Sequence, residues 1–145
     1  MADMIAVLEA LMSHNNEARS KAEAYFQEQL AANAAGVVQQ LLDIFRGSGA
    51  SSSTEMIRSF AGVLLRRAVE KTQFTPEMNS QLRGVLIDMW KTEKNPLLLK
   101  RLAHVMSQSA LSTSWIDLLP QVIDTVSVLL LQYVFCCVVH DFERT

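Results

Sequence analysis

Apolar residues recur along this chain at three- and four-residue intervals, and the recurrence predicts a series of helices separated by short polar turns. The widest stripe lies in Ser52–Thr72. There Ile57, Phe60, Ala61, Leu64, Leu65 and Ala68 fall at i, i+3, i+4, i+7, i+8 and i+11. Arg58, Arg66, Arg67, Glu70 and Lys71 occupy the opposite face. Ser52 and Glu55 form an S-x-x-E pattern, a capping box that predicts the helix start. A helix with so broad an apolar face needs neighbours on both sides, so the rest of the chain is expected to organise around it.

The neighbours are legible in order. Ala2–Ser13 reads as a short amphipathic helix with Met4, Val7, Leu8 and Leu11 on one side. Asn15 or Asn16 suits the N-cap of the next helix, Glu17–Ala32. That helix turns Ala18, Ala22, Tyr25, Phe26 and Leu30 inward and shows Arg19, Lys21, Glu23 and Glu28 outward. Ala35–Arg46 carries Val38, Leu41, Leu42 and Phe45 in series. The small residues of Gly47–Ser53 read as a flexible connector, too short to separate two domains. Thr75-Pro76 and Asn95-Pro96 each join a capping side chain to a proline at the first helical position. They open Pro76–Lys91, with Leu82, Val85, Leu86, Met89 and Trp90, and Pro96–Leu111, with Leu99, Leu102, Ala103, Met106 and Ala110. Ser114 and Asp117 mark another start, before Trp115, Leu118, Leu119, Val122 and Ile123, and Pro120 should kink or bound that helix.

The central stretch also repeats. Arg58-x-x-Ala61 has an echo in Arg19-x-x-Ala22 and a looser one in Lys100-x-x-Ala103, each about 40 residues from the next. Large apolar residues follow each alanine: Tyr25 and Phe26, Leu64 and Leu65, Met106. With no convincing strand alternation, the predicted class is all-α, an α-α superhelix of HEAT-type hairpins. About three repeats, near 2–32, 35–72 and 76–111, precede a partial fourth that opens at 114, within an array over 1–123. Residues 124–145 read as a divergent apolar tail.

Composition narrows the chemistry. Half of the 145 residues are hydrophobic and 19% are charged, which argues against a disordered chain. A formal net charge of −2 gives no global reason to expect direct nucleic-acid binding. Cys136 and Cys137 are adjacent and make no disulfide framework, so a reducing compartment is expected. The N-terminal stretch lacks the basic start of a signal or transit peptide. His14, His104 and His140 stand at no metal-ligand spacing, and Gly47-Ser48-Gly49 lacks the Lys-Ser/Thr of a phosphate loop. The reading is therefore of no enzyme, no metal and no cofactor. Val126–Val139 is the most apolar stretch, but it is shorter than the ~20 residues a membrane helix needs. It reads as a buried core helix or a strand-prone run, with a small tail-anchored membrane protein as the alternative.

Four pieces together resemble a known family. Ala18–Leu30, Arg58–Lys71, Leu98–Leu111 and Ser114–Val122 are similar, in order and spacing, to the first HEAT repeats of importin-β superfamily nuclear transport receptors, the karyopherin-β proteins. The Val63–Arg67 segment, VLLRR, looks most like the importin-4/importin-5 branch. The resemblance implies a solenoid whose B helices, here Glu17–Ala32, Ser53–Thr72 and Pro96–Leu111, bind the small GTPase Ran in its GTP form. It further implies cargo proteins with basic localisation signals, nucleoporins as partners of the whole receptor, and shuttling between cytoplasm and nucleus. Such receptors are several times longer, and residues 124–145 do not look like a fourth HEAT pair. A truncated or mis-spliced product is the matching expectation.

Arg66 and Arg67 are the first candidates for partner contact, followed by Arg58, Lys71, Arg19 and Lys100. The plainer account of Arg66 and Arg67 is a solvated pair complementing the helix dipole. The alternative for the whole chain is a HEAT or armadillo scaffold subunit unrelated to Ran.

Overall fold

The computed structural model describes residues 3–47, 54–113 and the single positions 115, 118 and 120. The chain divides into two compact units, Met1–Ser114 and Trp115–Thr145. Among the described residues there are six α-helices and no strand: α1 Met4–Leu11, α2 Asn16–Ala32, α3 Ala34–Arg46, α4 Glu55–Lys71, α5 Pro76–Thr92 and α6 Pro96–Thr113. All six lie in the first unit. The expected start at Ser114 and Asp117 and the apolar tail 124–145 lie outside the described residues.

Each helix begins where a short polar side chain accepts from N–H groups that have no partner inside the helix. Asp3 serves α1 through the Ile5 N–H. Asn15, rather than Asn16, caps α2 by accepting from Glu17 and Ala18. Asn33 both ends α2 and caps α3, accepting from Gly36 at 3.1 Å, so a single residue separates the two helices. Thr75 and Asn95 cap α5 and α6, with Pro76 and Pro96 next in the chain.

The start of α4 differs from the capping-box expectation. Thr54 is the N-cap and accepts from the Ile57 N–H, which makes Glu55 the first helical residue instead of the third. Ser52 lies outside the described residues. The run Ser51-Ser52-Ser53-Thr54 offers four hydroxyls in a row, and helix periodicity alone does not choose among them. At its new position Glu55 still favours the helix start by placing a carboxylate at the positive end of the dipole.

The expectation that α4 organises the fold holds. It packs against α3 and against α6, and Ala61, Leu65, Ala68 and Val69 have no exposed surface. Its buried face is turned from the predicted one. Ser59, Gly62 and Val69 are buried, whereas Ile57 and Phe60 are only half-buried. The cause is the close approach of both Phe45 on α3 and α6. A Cβ on Gly62 would stand 2.9 Å from Phe45 Cε2 and 3.1 Å from Arg101 Cβ, so this side of α4 must be lined by small residues. Small and polar residues at a tight crossing do not register in an apolar pattern.

A similar rotation occurs in α6. Leu98, Leu102, Val105, Met106 and Ser109 are buried, while Leu99, Ala103 and Ala110 are half-buried. Leu97-Leu98-Leu99 presents leucine at three successive angles, which leaves the inward one undetermined by pattern. Among consecutive helices α3 packs most closely on α4 and α1 on α2, while α5 on α6 is about as slight as α2 on α3; the most extensive packing of all is α4 on α6. The α2 helix meets α1 and α3 but makes little direct contact with α4.

Candidate partner-binding surface

The six cations singled out by the sequence fall into different surroundings. Arg58 is held inside the fold. Its Nε donates to the Phe45 carbonyl at 3.0 Å, and its Nη2 donates to Glu93 Oε2 at 3.0 Å. Phe45 belongs to the last turn of α3, whose carbonyls have no helical partner, so Arg58 satisfies one of them. Glu93, between α5 and α6, uses its other carboxylate oxygen to accept from the Asn95 N–H. One guanidinium thus ties the end of α3 to the loop that opens α6. Side-chain exposures of 23% for Arg58 and 15% for Glu93 make this a partly buried, charge-assisted pair rather than a solvated one.

Gly47 makes room for this contact. It ends α3 in the left-handed conformation at φ +76°, and a Cβ there would meet the Arg58 guanidinium. Residues 48–53 of the expected connector lie outside the described residues.

Arg66, Arg67 and Lys71 are exposed in the last turns of α4 and form no ion pair among the described residues. Arg19 is exposed near the start of α2, where it donates to the Asn16 side-chain carbonyl. Lys100 is exposed on α6. Lys21 is engaged locally with Glu17 at 2.8 Å, an i, i+4 pair on an open face that adds little to stability.

The structure brings Arg19 and Arg67 together. Both line a trough of about 200 Å³ between α2 and α4, bordered by Leu11 of α1, with Glu23 as its acidic member. The floor is formed by Phe26, Phe60, Val63 and Leu64. Gln27 is shared with a second hollow of about 280 Å³, bounded by Leu30, Ala31, Ala34 and Lys71. Lys71 therefore stands one turn beyond Arg67 along the same cleft. Arg66 and Lys100 do not line either hollow.

Phe60 and Val63 are the residues that the sequence reading missed as surface. Phe60 counted as core because its spacing from Leu64 and Ala68 fits the apolar stripe. The contrary signal is the pair Ser59 and Gly62, which marks the close-packed side of α4 and so leaves the Phe60 and Val63 side for a looser neighbour.

Among the described residues no group of three or more His, Cys, Asp or Glu could hold a metal ion, and no helix is long and apolar enough to cross a membrane. His104 is half-buried on α6 and His14 is exposed before α2. His140, Cys136, Cys137 and Val126–Val139 lie outside the described residues. The described part of the chain is thus an all-α module with a basic, partly apolar cleft between α2 and α4. No protein-family model, curated protein or solved structure matches the chain.

Proposed function

We propose that this chain is a binding module without catalysis, the N-terminal HEAT-repeat part of a karyopherin-β nuclear transport receptor, and that α2, α4 and α6 form its face for Ran in the GTP form. One observation carries the reading: the repeat motif occupies equivalent places on three helices. Arg19, Arg58 and Lys100 each fall about one turn into α2, α4 and α6. Ala22 and Ala61, one turn further, are buried, and Ala103 is half-buried. The three helices are the second members of the consecutive pairs, which is where the resemblance puts the B helices of a HEAT superhelix. Exposed cations at Arg19, Arg66, Arg67, Lys71 and Lys100, interspersed with the exposed carboxylates Glu17, Glu23, Glu28, Glu55 and Glu70, are the groups these helices offer to an acidic protein partner. Cargo proteins with basic signals, nucleoporins and shuttling between cytoplasm and nucleus belong to the same proposal.

The test is titration of the chain against Ran loaded with GTP or with GDP at physiological salt. A switch protein reorders its loops with the γ-phosphate, so a surface fitted to one state rejects the other. Binding to the GTP form at least tenfold tighter than to the GDP form is expected. Equal affinity for both forms would refute the proposal and favour a scaffold of the same fold unrelated to Ran.

A further inference from the structure

The cleft between α2 and α4 exists because the packing around α4 is unequal. On its α6 side, Ser59 and Gly62 let the helices meet backbone to side chain. On its α2 side, Phe60 and Val63 stay half-buried above a gap that Leu11, at the end of α1, borders without filling. Leaving two large apolar side chains partly in water forgoes burial worth about 25 cal/mol per Å² of apolar surface. The gap carries Arg19 and Arg67 against a single carboxylate, Glu23, and Lys71 lines the hollow that adjoins it at Gln27.

We infer that this cleft takes an acidic amphipathic peptide segment of a partner protein. One large apolar side chain enters the hollow over Phe26, Phe60 and Val63. Carboxylates on the same segment meet Arg19, Arg67 and Lys71. The size of the hollow decides against a free small molecule. Neither the hollow of about 200 Å³ nor the adjoining one of about 280 Å³ reaches the ~300–1,000 Å³ of small-ligand pockets, and the first suits one anchoring side chain. The sign of the charge decides against a basic segment. Arg67 and Lys71 have no ion-pair partner among the described residues, so an incoming carboxylate displaces no internal acid. The inference rests on the reading of α2 and α4 as partner-binding helices, and it names the chemistry of one segment they hold.

The test uses the full chain and a displayed library of random peptides about 12 residues long, enough for three helical turns. Selected peptides are synthesised and titrated against wild type and the Arg67→Glu/Lys71→Glu variant. Both replaced residues are exposed, and an unchanged helical circular dichroism spectrum confirms that the variant folds. Enrichment of peptides joining Asp or Glu to a large apolar residue is expected, with at least tenfold weaker binding to the variant and weaker binding at high salt. No enrichment, enrichment of basic peptides, or equal binding to the variant overturns the inference. The Ran titration separates the two ideas. Ran bound in its GTP form with acidic peptides ignored removes this inference alone, whereas acidic peptides held with no nucleotide preference removes the transport-receptor reading alone.

Discussion

Arg58 and Arg67 lie on one helix, yet their surroundings divide them. Arg58 holds two partners in a partly buried setting, so its removal strands the Glu93 carboxylate and the Phe45 carbonyl. Arg58→Met is expected to lower stability by about 2 kcal/mol, between the cost of a lost charged hydrogen bond and that of a broken buried pair. Chemical denaturation measures it, and a change under about 0.5 kcal/mol, the scale of an ordinary surface substitution, would remove the tie from the account. Two glycines make a second contrast. Gly62→Ala gains helix propensity but drives a methyl into the ring of Phe45, which has no exposed surface. A net loss of about 1–3 kcal/mol is expected. Gly84 sits on an exposed position of α5, and a Cβ added there would meet nothing within 4 Å, so Gly84→Ala should raise stability by about 0.5–1 kcal/mol. Opposite signs for the same substitution in thermal unfolding check the close packing of α4 against α3 and α6.

At the scale of elements, helix ends carry much of the specification. Asn33 stands alone between α2 and α3, and its side chain takes the Gly36 N–H. Asn33→Ala should lose about 1 kcal/mol in the same unfolding assay. Most element boundaries were legible because Asn15, Thr75-Pro76 and Asn95-Pro96 are punctuation with a mechanism, read without knowledge of tertiary contacts. The start of α4 was not, because four consecutive hydroxyl residues are equally able caps. The inward faces of α1 and α3 were largely legible, since Met4, Val7 and Leu8, and Val38, Leu41, Leu42 and Phe45, are buried as their spacing predicts, while Leu11 is half-buried at the edge of the cleft. The faces of α4 and α6 were legible only to within a rotation. Gly62 and Ser59 are buried by proximity to Arg101 and Phe45, a relation between distant residues that a local pattern does not contain.

At the scale of the whole first unit, the sequence nominated cations but not the ground they share. Arg19 and Arg67 line one cleft where α2 hardly touches α4 and both instead pack on α1 and α3, a set of contacts between distant parts of the chain. Arg58 was nominated on the same grounds, yet exposure separates it: its charge is spent inside the unit, while Arg66 and Arg67 face outward. The central claim is that division of α4 between holding the fold and meeting a partner. Its most direct measurement is a paired comparison of Arg58→Met with the Arg66→Ala/Arg67→Ala variant, each followed by denaturation and by titration with Ran in the GTP form. The double variant is expected to keep its unfolding midpoint and to bind about 1–3 kcal/mol more weakly, while Arg58→Met unfolds earlier. A double variant that binds as wild type does, or that loses as much stability as Arg58→Met, contradicts that claim.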